Sequence, residues 1–535
     1  MKLTMKNISS YAAGFAMLSL ALTACNDLDT LPGNYWVTTS QKEESIKLNP
    51  ELAKAGVVGI SSSYNQFGQV YDVDAGAHFD FGWPGVMMFI ESAGVDFVSP
   101  NTGFNHFSLG GTYNLGNVSN YLTNMTWYYS YKIINSANTV IATIPADTED
   151  PELMLYAAQG YANRANMYFI LAQMYQYTYK GHESLPCVPI LTDENSEQAA
   201  SEGAPRATVG QVYEQILSDL DTAIDMLSRS GLSVDRIADS GTKRFVSLGT
   251  AYGLRARVNL VMNNWKEAAS DAQNAIDHSG CTPYSIAEAS KPAFNGADDH
   301  NLMWCIYVTP NDRCVTSGIV NWPSHMGSLN YGYASVGSWR KINIALYNTI
   351  SATDCRKGWW LDENGESANL SNAQKEVIAG YGAPAYTQVK FGPYENVLRT
   401  TTNSTSISLM RVEEMYLIKA EATAKDGGDG VSVLENFVKT YRDPNYSASA
   451  SGLSFDDEVW RQRRIELWGE ALSYFDLLRL NKPLDRRGGG WDVSWVYNVE
   501  APLKPFVIPN SESQQNPAFG ENNETWSKPN AVSDY

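Results

Sequence analysis

Hydrophobic and polar positions alternate in two different ways along this chain. From about residue 120 the period is helical: Leu153, Tyr156, Ala157, Gly160, Tyr161, Ala165, Tyr168, Phe169, Ala172 and Tyr175 recur at i, i+3, i+4 and i+7 spacing. That pattern predicts a long amphipathic helix whose tyrosines pack into a core. Thr208 and Gln211 form a capping-box pair ahead of Val212, Ile216, Leu220, Ala223, Ile224 and Leu227, which predicts a second helix. Ser247 to Val261 and Trp265 to Asp277 are helical runs separated only by Met262-Asn263-Asn264, the spacing of an antiparallel helical hairpin. Ala256, Ala268 and Ala275, with Tyr252 and Ala272, fall where a tetratricopeptide-type pair needs small residues and packing residues. Further helical runs at 407–425 and 455–480 extend the pattern to several hairpins.

Residues 281–405 lose that period. They are rich in Gly, Asn, Ser, Pro and aromatics, with Leu302 to Val308 reading as a short strand and the rest as long loops. Loops of that length inside a compact body are uncommon unless they bind something. The 485–535 tail, with Gly488-Gly489-Gly490 and repeated Pro, reads as an irregular wrap. The expected architecture is therefore all-α, one large body of tetratricopeptide-like hairpins over 51–535. Within it, 120–280 is the helical repeat core, 281–405 a loop-rich segment, and 406–535 the C-terminal helices and tail.

The N-terminus follows different rules. Lys2 and Lys6 precede an apolar stretch from Tyr11 to Leu22, too short to span a bilayer as a helix, which identifies residues 1–24 as a secretory signal. Its end, Leu22-Thr23-Ala24-Cys25, resembles a bacterial lipobox, in which Cys25 would carry the lipid and 25–50 would form a tether. No later run reaches the roughly eighteen apolar residues of a spanning helix. Of the five remaining cysteines, Cys305 and Cys314 are near enough in sequence to close a small loop, although isolated buried thiols fit an odd count better.

Composition narrows the function. The 535 residues carry 39 Lys+Arg against 58 Asp+Glu, a formal charge of -19, and removal of 1–24 takes away two lysines and no acid, leaving -21. With no long Lys/Arg run, such a surface repels a phosphate backbone, so no nucleic acid is expected as a partner. Neither CxxC, HExxH nor an EF-hand loop occurs, and there is no GxSxG or phosphate-binding glycine loop, so no metal, cofactor or nucleophilic catalysis is expected. Aromatic content stands out instead, with 31 Tyr, 14 Trp and 17 Phe.

Several segments together resemble one family. They are the lipobox with Leu28-Asp29, Tyr161 to Tyr177 followed by Gly181 and Leu185 to Leu191, and the hairpin at 247–277. Arg411 to Glu421 and Arg463 to Arg479 are similar to its C-terminal signatures, and Ile508-Pro509, Glu512 and Asn516-Pro517 to its closing segment. The family is that of the SusD/RagB outer-membrane lipoproteins of Bacteroidetes. Ala471 stands where that family usually has Gly, and Ser473 where it usually has a basic residue, both within an expected helix. The resemblance implies a non-catalytic lid over a SusC-like TonB-dependent outer-membrane barrel, lipid-anchored at the cell surface, that delivers captured oligosaccharide or sometimes peptide.

Two sets of residues compete for the site. Glu466 and Glu470 share a helix face as paired carboxylates might, but Arg461, Arg463 and Arg464 lie within a turn, which favours an ion-paired scaffold over a hydrolase. Sugar rings expose apolar C–H faces that stack on flat aromatic rings while Asn, Asp and Arg take their hydroxyls. On that logic the ligand site is expected in two loop clusters, Asp80 with Trp83, and Asn321 and Trp322 with Tyr331, Tyr333 and Trp339. Rings in Gly-rich loops are expected to be exposed, with stacking on Trp83 and Trp322 and hydrogen bonds from Asp80 and Asn321. A peptide ligand and a helical scaffold with no small ligand are the alternatives. An Arg340-Lys341 patch would admit an acidic glycan despite the net charge.

Overall fold

The computed structural model describes residues 45–46 and 49–535, so Cys25, the lipobox and most of the tether lie outside the described residues. Among the described residues no helix is long and apolar enough to cross a membrane. The first helices are α1 (Glu51–Ser62) and α2 (Trp83–Ala93). Helix α3 (Tyr121–Ala142) starts where the Asn120 side chain accepts the Thr123 N–H, and α4 (Pro151–Tyr175) where Asp150 accepts two N–H groups ahead of a Pro at the first position. Almost every side chain of α4 is buried, with Tyr156 and Tyr168 in the core as expected.

Helix α5 (Val209–Ser230) opens on the Thr208/Gln211 capping box and closes at Gly231 in the left-handed region. Arg164 of α4 holds three elements at once. Its guanidinium donates to Asp219 of α5 at 2.7 and 2.8 Å, to Asn138 of α3 at 2.8 Å and to Asp193 at 2.8 Å. Helices α6 (Leu248–Met262) and α7 (Trp265–Ser279) form the expected hairpin, turning on Asn263 at φ 64°, with Ala256, Ala268 and Ala275 fully buried at the contact. The structure is mostly helical, which is the expected class.

The C-terminal part adds α8 (Val412–Lys425), α9 (Gly430–Tyr441), α10 (Phe455–Glu466) and α11 (Ser473–Arg479). The expected helix over 455–480 is thus two helices, broken between Glu466 and Ser473, where Gly469 (φ 81°) and Ala471 (φ 60°) both adopt the left-handed region. Ala471 therefore sits in a turn and not in a helix. Glycine adopts that region at lower cost than alanine. The carboxylate of Glu91 on α2 fixes the turn, accepting the N–H groups of Gly469 and Ala471 at 2.9 Å each.

The 281–405 segment is less structureless than its composition suggests. Its strand β1 (Leu302–Ile306) pairs antiparallel with β2 (Ile407–Arg411), so the segment leaves and re-enters the body at one ribbon. It also has an apolar cluster of its own, Leu329, Leu361, Leu370, Val377, Ile378 and Val389. The tail wraps as expected: the buried Arg486 guanidinium donates to carbonyls of Gly94 and Gly111, and the Phe506 N–H reaches Met174 in α4. All five described cysteines are free thiols, Cys305 and Cys314 included.

Candidate functional site

Glu466 and Glu470 are enclosed by cations. Glu466 receives Arg411, Arg442 and Arg356, while Glu470 receives Arg411 and Lys390 at 2.7 to 2.9 Å. Burial alone would raise both carboxyls, but the surrounding cations outweigh it and hold Glu466 well below the usual carboxylate range and Glu470 below it. Neither is a proton donor near neutral pH, and the ion-paired scaffold reading stands. Among the described residues no cluster of His, Cys, Asp or Glu is placed to hold a metal ion.

The expected exposure of the loop rings is corrected by the structure. Trp83 heads α2 and is buried, its N–H bonded to the Tyr64 carbonyl and its ring edge-on to Tyr64. The turn before it is closed by Gly82 at φ 87°, where a Cβ would lie 2.6 Å from the Gln66 carbonyl. Trp322 is buried against the edge of Phe391, with centroids 5.0 Å apart, and Trp339 is buried too. Asp80 is fully buried and accepts the N–H groups of Val70 and Tyr71 at 2.8 and 2.7 Å and the Tyr129 hydroxyl, which pins the 66–82 loop. Asn321 caps the short helix Trp322–Met326, accepting the Ser324 N–H and donating to the Cys314 and Gly318 carbonyls, each at 2.9 Å. These residues face the core because partners distant in sequence enclose them.

What they support is a surface above them. The same two loop clusters meet a third segment, 100–107, that the sequence reading did not single out. Phe81, His325 and Tyr333 form a three-ring stack, with His325 5.6 Å from Phe81 and 4.5 Å from Tyr333 and interplanar angles of 18° and 10°. The Tyr333 hydroxyl bonds His78 Nδ1, and His106 packs edge-on to Tyr333 at 4.9 Å. Half of the chain's six histidines thus converge here, although they are 28 and 219 residues apart in sequence order. Burial pushes His106 down to about 4, helped by His78 and Arg340, and holds His325 well below its ordinary value. Both imidazoles are neutral near pH 7 and so present one donor and one acceptor each.

Exposed apolar groups cap this layer. Phe104 is 55% exposed and lies beside Gly337, while Tyr331 is 43% exposed at the other end of the 331–338 turn, which also carries the exposed Val336. The Tyr331 N–H bonds the Thr400 carbonyl and the Arg399 N–H bonds the Leu329 carbonyl, which sets the 397–400 loop alongside. Arg399, exposed and at φ 58°, lays its guanidinium 5.5 Å from the half-buried Tyr381 ring. Of the sequence candidates, Tyr331 is at this surface, Tyr333 lies just beneath it, and the other five are support. Arg340 is not a surface patch: it is fully buried, bonded to the His325 carbonyl and Asn105, and burial pushes it down to about 9.

Comparison with known proteins gives the frame. Residues 91–260 match the family model described as "Starch-binding associating with outer membrane", and residues 339–532 match the SusD family model. No curated protein is significantly similar to the chain. Solved structures with the same fold include a SusD-like carbohydrate binding protein from Bacteroides vulgatus (TM-score 0.68, 19% identity, 88% of this chain and 96% of that one). Surface glycan-binding protein A from Bacteroides uniformis is similar over 89% of this chain and 100% of its own (TM-score 0.62, 19% identity). A laminarin binding SusD-like protein aligns over 89% and 99% (TM-score 0.60, 18% identity). With both family models matched in chain order and the fold shared along almost the whole described length, the chain belongs to the SusD/RagB family.

Proposed function

We propose that the protein is a glycan-binding lipoprotein that captures oligosaccharide on the surface of Phe104, Tyr331 and Tyr381. It passes the ligand to a SusC-like TonB-dependent barrel and performs no chemistry on it. Residues 1–24 are the signal, Cys25 carries the lipid that anchors the protein to the outer membrane at the cell surface, 25–50 is the tether and 51–535 the body. One observation carries the reading: exposed rings and aliphatic groups concentrate where three loops meet over neutral imidazoles and an exposed arginine. Flat rings offer stacking to sugar C–H faces, and the polar groups around them match hydroxyls. The two glycan-binding relatives of the same fold support a sugar as ligand.

Trp83, Asp80, Asn321, Trp322 and Trp339 act from below by holding the loops, and Tyr333 orients His78. This division is testable by calorimetry against a glycan panel. Tyr331→Ala and Phe104→Ala are expected to weaken binding by about fivefold each while leaving the unfolding free energy within about 0.5 kcal/mol of wild type. Trp83→Ala is expected to cost about 3–5 kcal/mol of stability, because it empties a core site. Uptake of peptides only, or binding indifferent to both surface variants, would sink the proposal.

A further inference from the structure

On the other side of the 66–82 loop lies a second aromatic surface that none of the above uses. His78 faces Tyr333 on the first side, whereas the next residue, Phe79, stacks on Tyr121 at 4.7 Å with an interplanar angle of 22°. Tyr121 and Tyr128, seven residues apart on α3 and therefore on one helix face, are 43% and 40% exposed. Beside them opens a groove of about 550 Å³, lined by Tyr71, Asn124, Trp127, Tyr128, Lys132 and Glu512 among others. That volume is in the range of small-ligand sites.

The groove is built and not incidental. Asn124 donates to the Tyr71 hydroxyl at 2.7 Å, the Trp127 indole N–H to Glu512 at 3.2 Å, and Lys132 to Gln66 and Gln69 at 3.1 Å each. The Lys132 ammonium also lies 5.6 Å from the Tyr128 ring centroid. These bonds fix Tyr71 and Trp127 before any ligand arrives, which lowers the ordering cost of binding for that part of the groove. The lining mixes flat rings with one ammonium, one carboxylate and two amides, and its only aliphatic side chains are Val70 and Pro509. A helix-binding or lipid-binding face would instead present aliphatic groups.

We infer that this groove is a second oligosaccharide site, distinct from the loop surface and back to back with it across the 66–82 loop. The inference rests on the glycan reading given above for its choice of ligand. A long chain could engage both sites and gain affinity by avidity.

The test is calorimetry of the full chain with maltoheptaose, laminarihexaose and cellohexaose, comparing wild type with a groove pair, Tyr121→Ala with Tyr128→Ala, and a loop pair, Phe104→Ala with Tyr331→Ala. The expected result is two binding events in the wild type, with each pair losing about tenfold at one event only. Tyr128→Phe keeps the ring and should retain groove binding, which separates a lost ring from a misfolded variant. Loss with the loop pair alone overturns the groove and leaves the loop reading intact. Loss with the groove pair alone supports the groove and overturns the loop surface. No binding by the wild type, or no effect of either pair, overturns both.

Discussion

At the scale of single residues, backbone conformation and burial separate what two similar-looking positions do. Ala471 occupies a left-handed turn that suits glycine, at φ 60°, and its N–H is held by Glu91. A Cβ in that region costs about 1–2 kcal/mol, partly offset by the lower chain entropy of alanine in the unfolded state. Ala471→Gly is therefore expected to stabilise by about 1 kcal/mol, read as an upward shift of the urea midpoint at unchanged slope. The loop rings teach a related lesson. Gly and Pro near Trp83 and Trp322 correctly mark turns, yet a turn does not tell which way a ring points. Tyr64 and Phe391, which enclose these two indoles, lie 19 and 69 residues away in sequence. No local pattern carries that information, whereas Tyr331 keeps 43% of its surface exposed.

At the scale of elements, local signals served well where an element is specified by its own residues. The Thr208/Gln211 box and the Asn263 turn are both found in the structure. Thr208→Ala should cost about 1 kcal/mol, and hydrogen exchange should place the loss in the first turn of α5, with α6 and α7 unchanged. Local signals failed where a long-range contact overrides them. The apolar period from 455 to 480 runs on through a break that is set by the Glu91 carboxylate of α2, 378 residues from Gly469. Likewise, the aromatic residues of α3 keep a helical period but lie on two faces, with Tyr129 in the core and Tyr121 and Tyr128 outside. Spacing identifies the helix; its neighbours decide which stripe is covered.

At the scale of the whole molecule, buried charge ties the C-terminal helices to the middle segment and sets the response to pH. Glu466, Glu470 and Asp476 are held below their ordinary values in the folded state: burial opposes this, and Arg442, Arg411 and Arg463 overcome it. Their contribution is present above the unfolded values and is lost as pH falls below about 4.5. Glu91 works in the opposite sense, since burial raises it to about 7 against the two N–H bonds it accepts. Its unfolded form ionises first, so stability declines as pH rises from about 4.5 through about 7, by about 3 kcal/mol in full. Thermal unfolding across that range should give a maximum near the lower end, and Glu91→Gln should flatten the neutral side while leaving the acid side in place. By itself the sequence determined the helical class, the hairpins and their caps, the short ribbon strand and the family, because these rest on periods, caps and motifs written within a few turns of chain. Only the tertiary structure decided which rings are core and which are surface, that three distant histidines share one layer, and where α10 ends. Each of those depends on enclosure by segments tens to hundreds of residues away, and no local spacing encodes it.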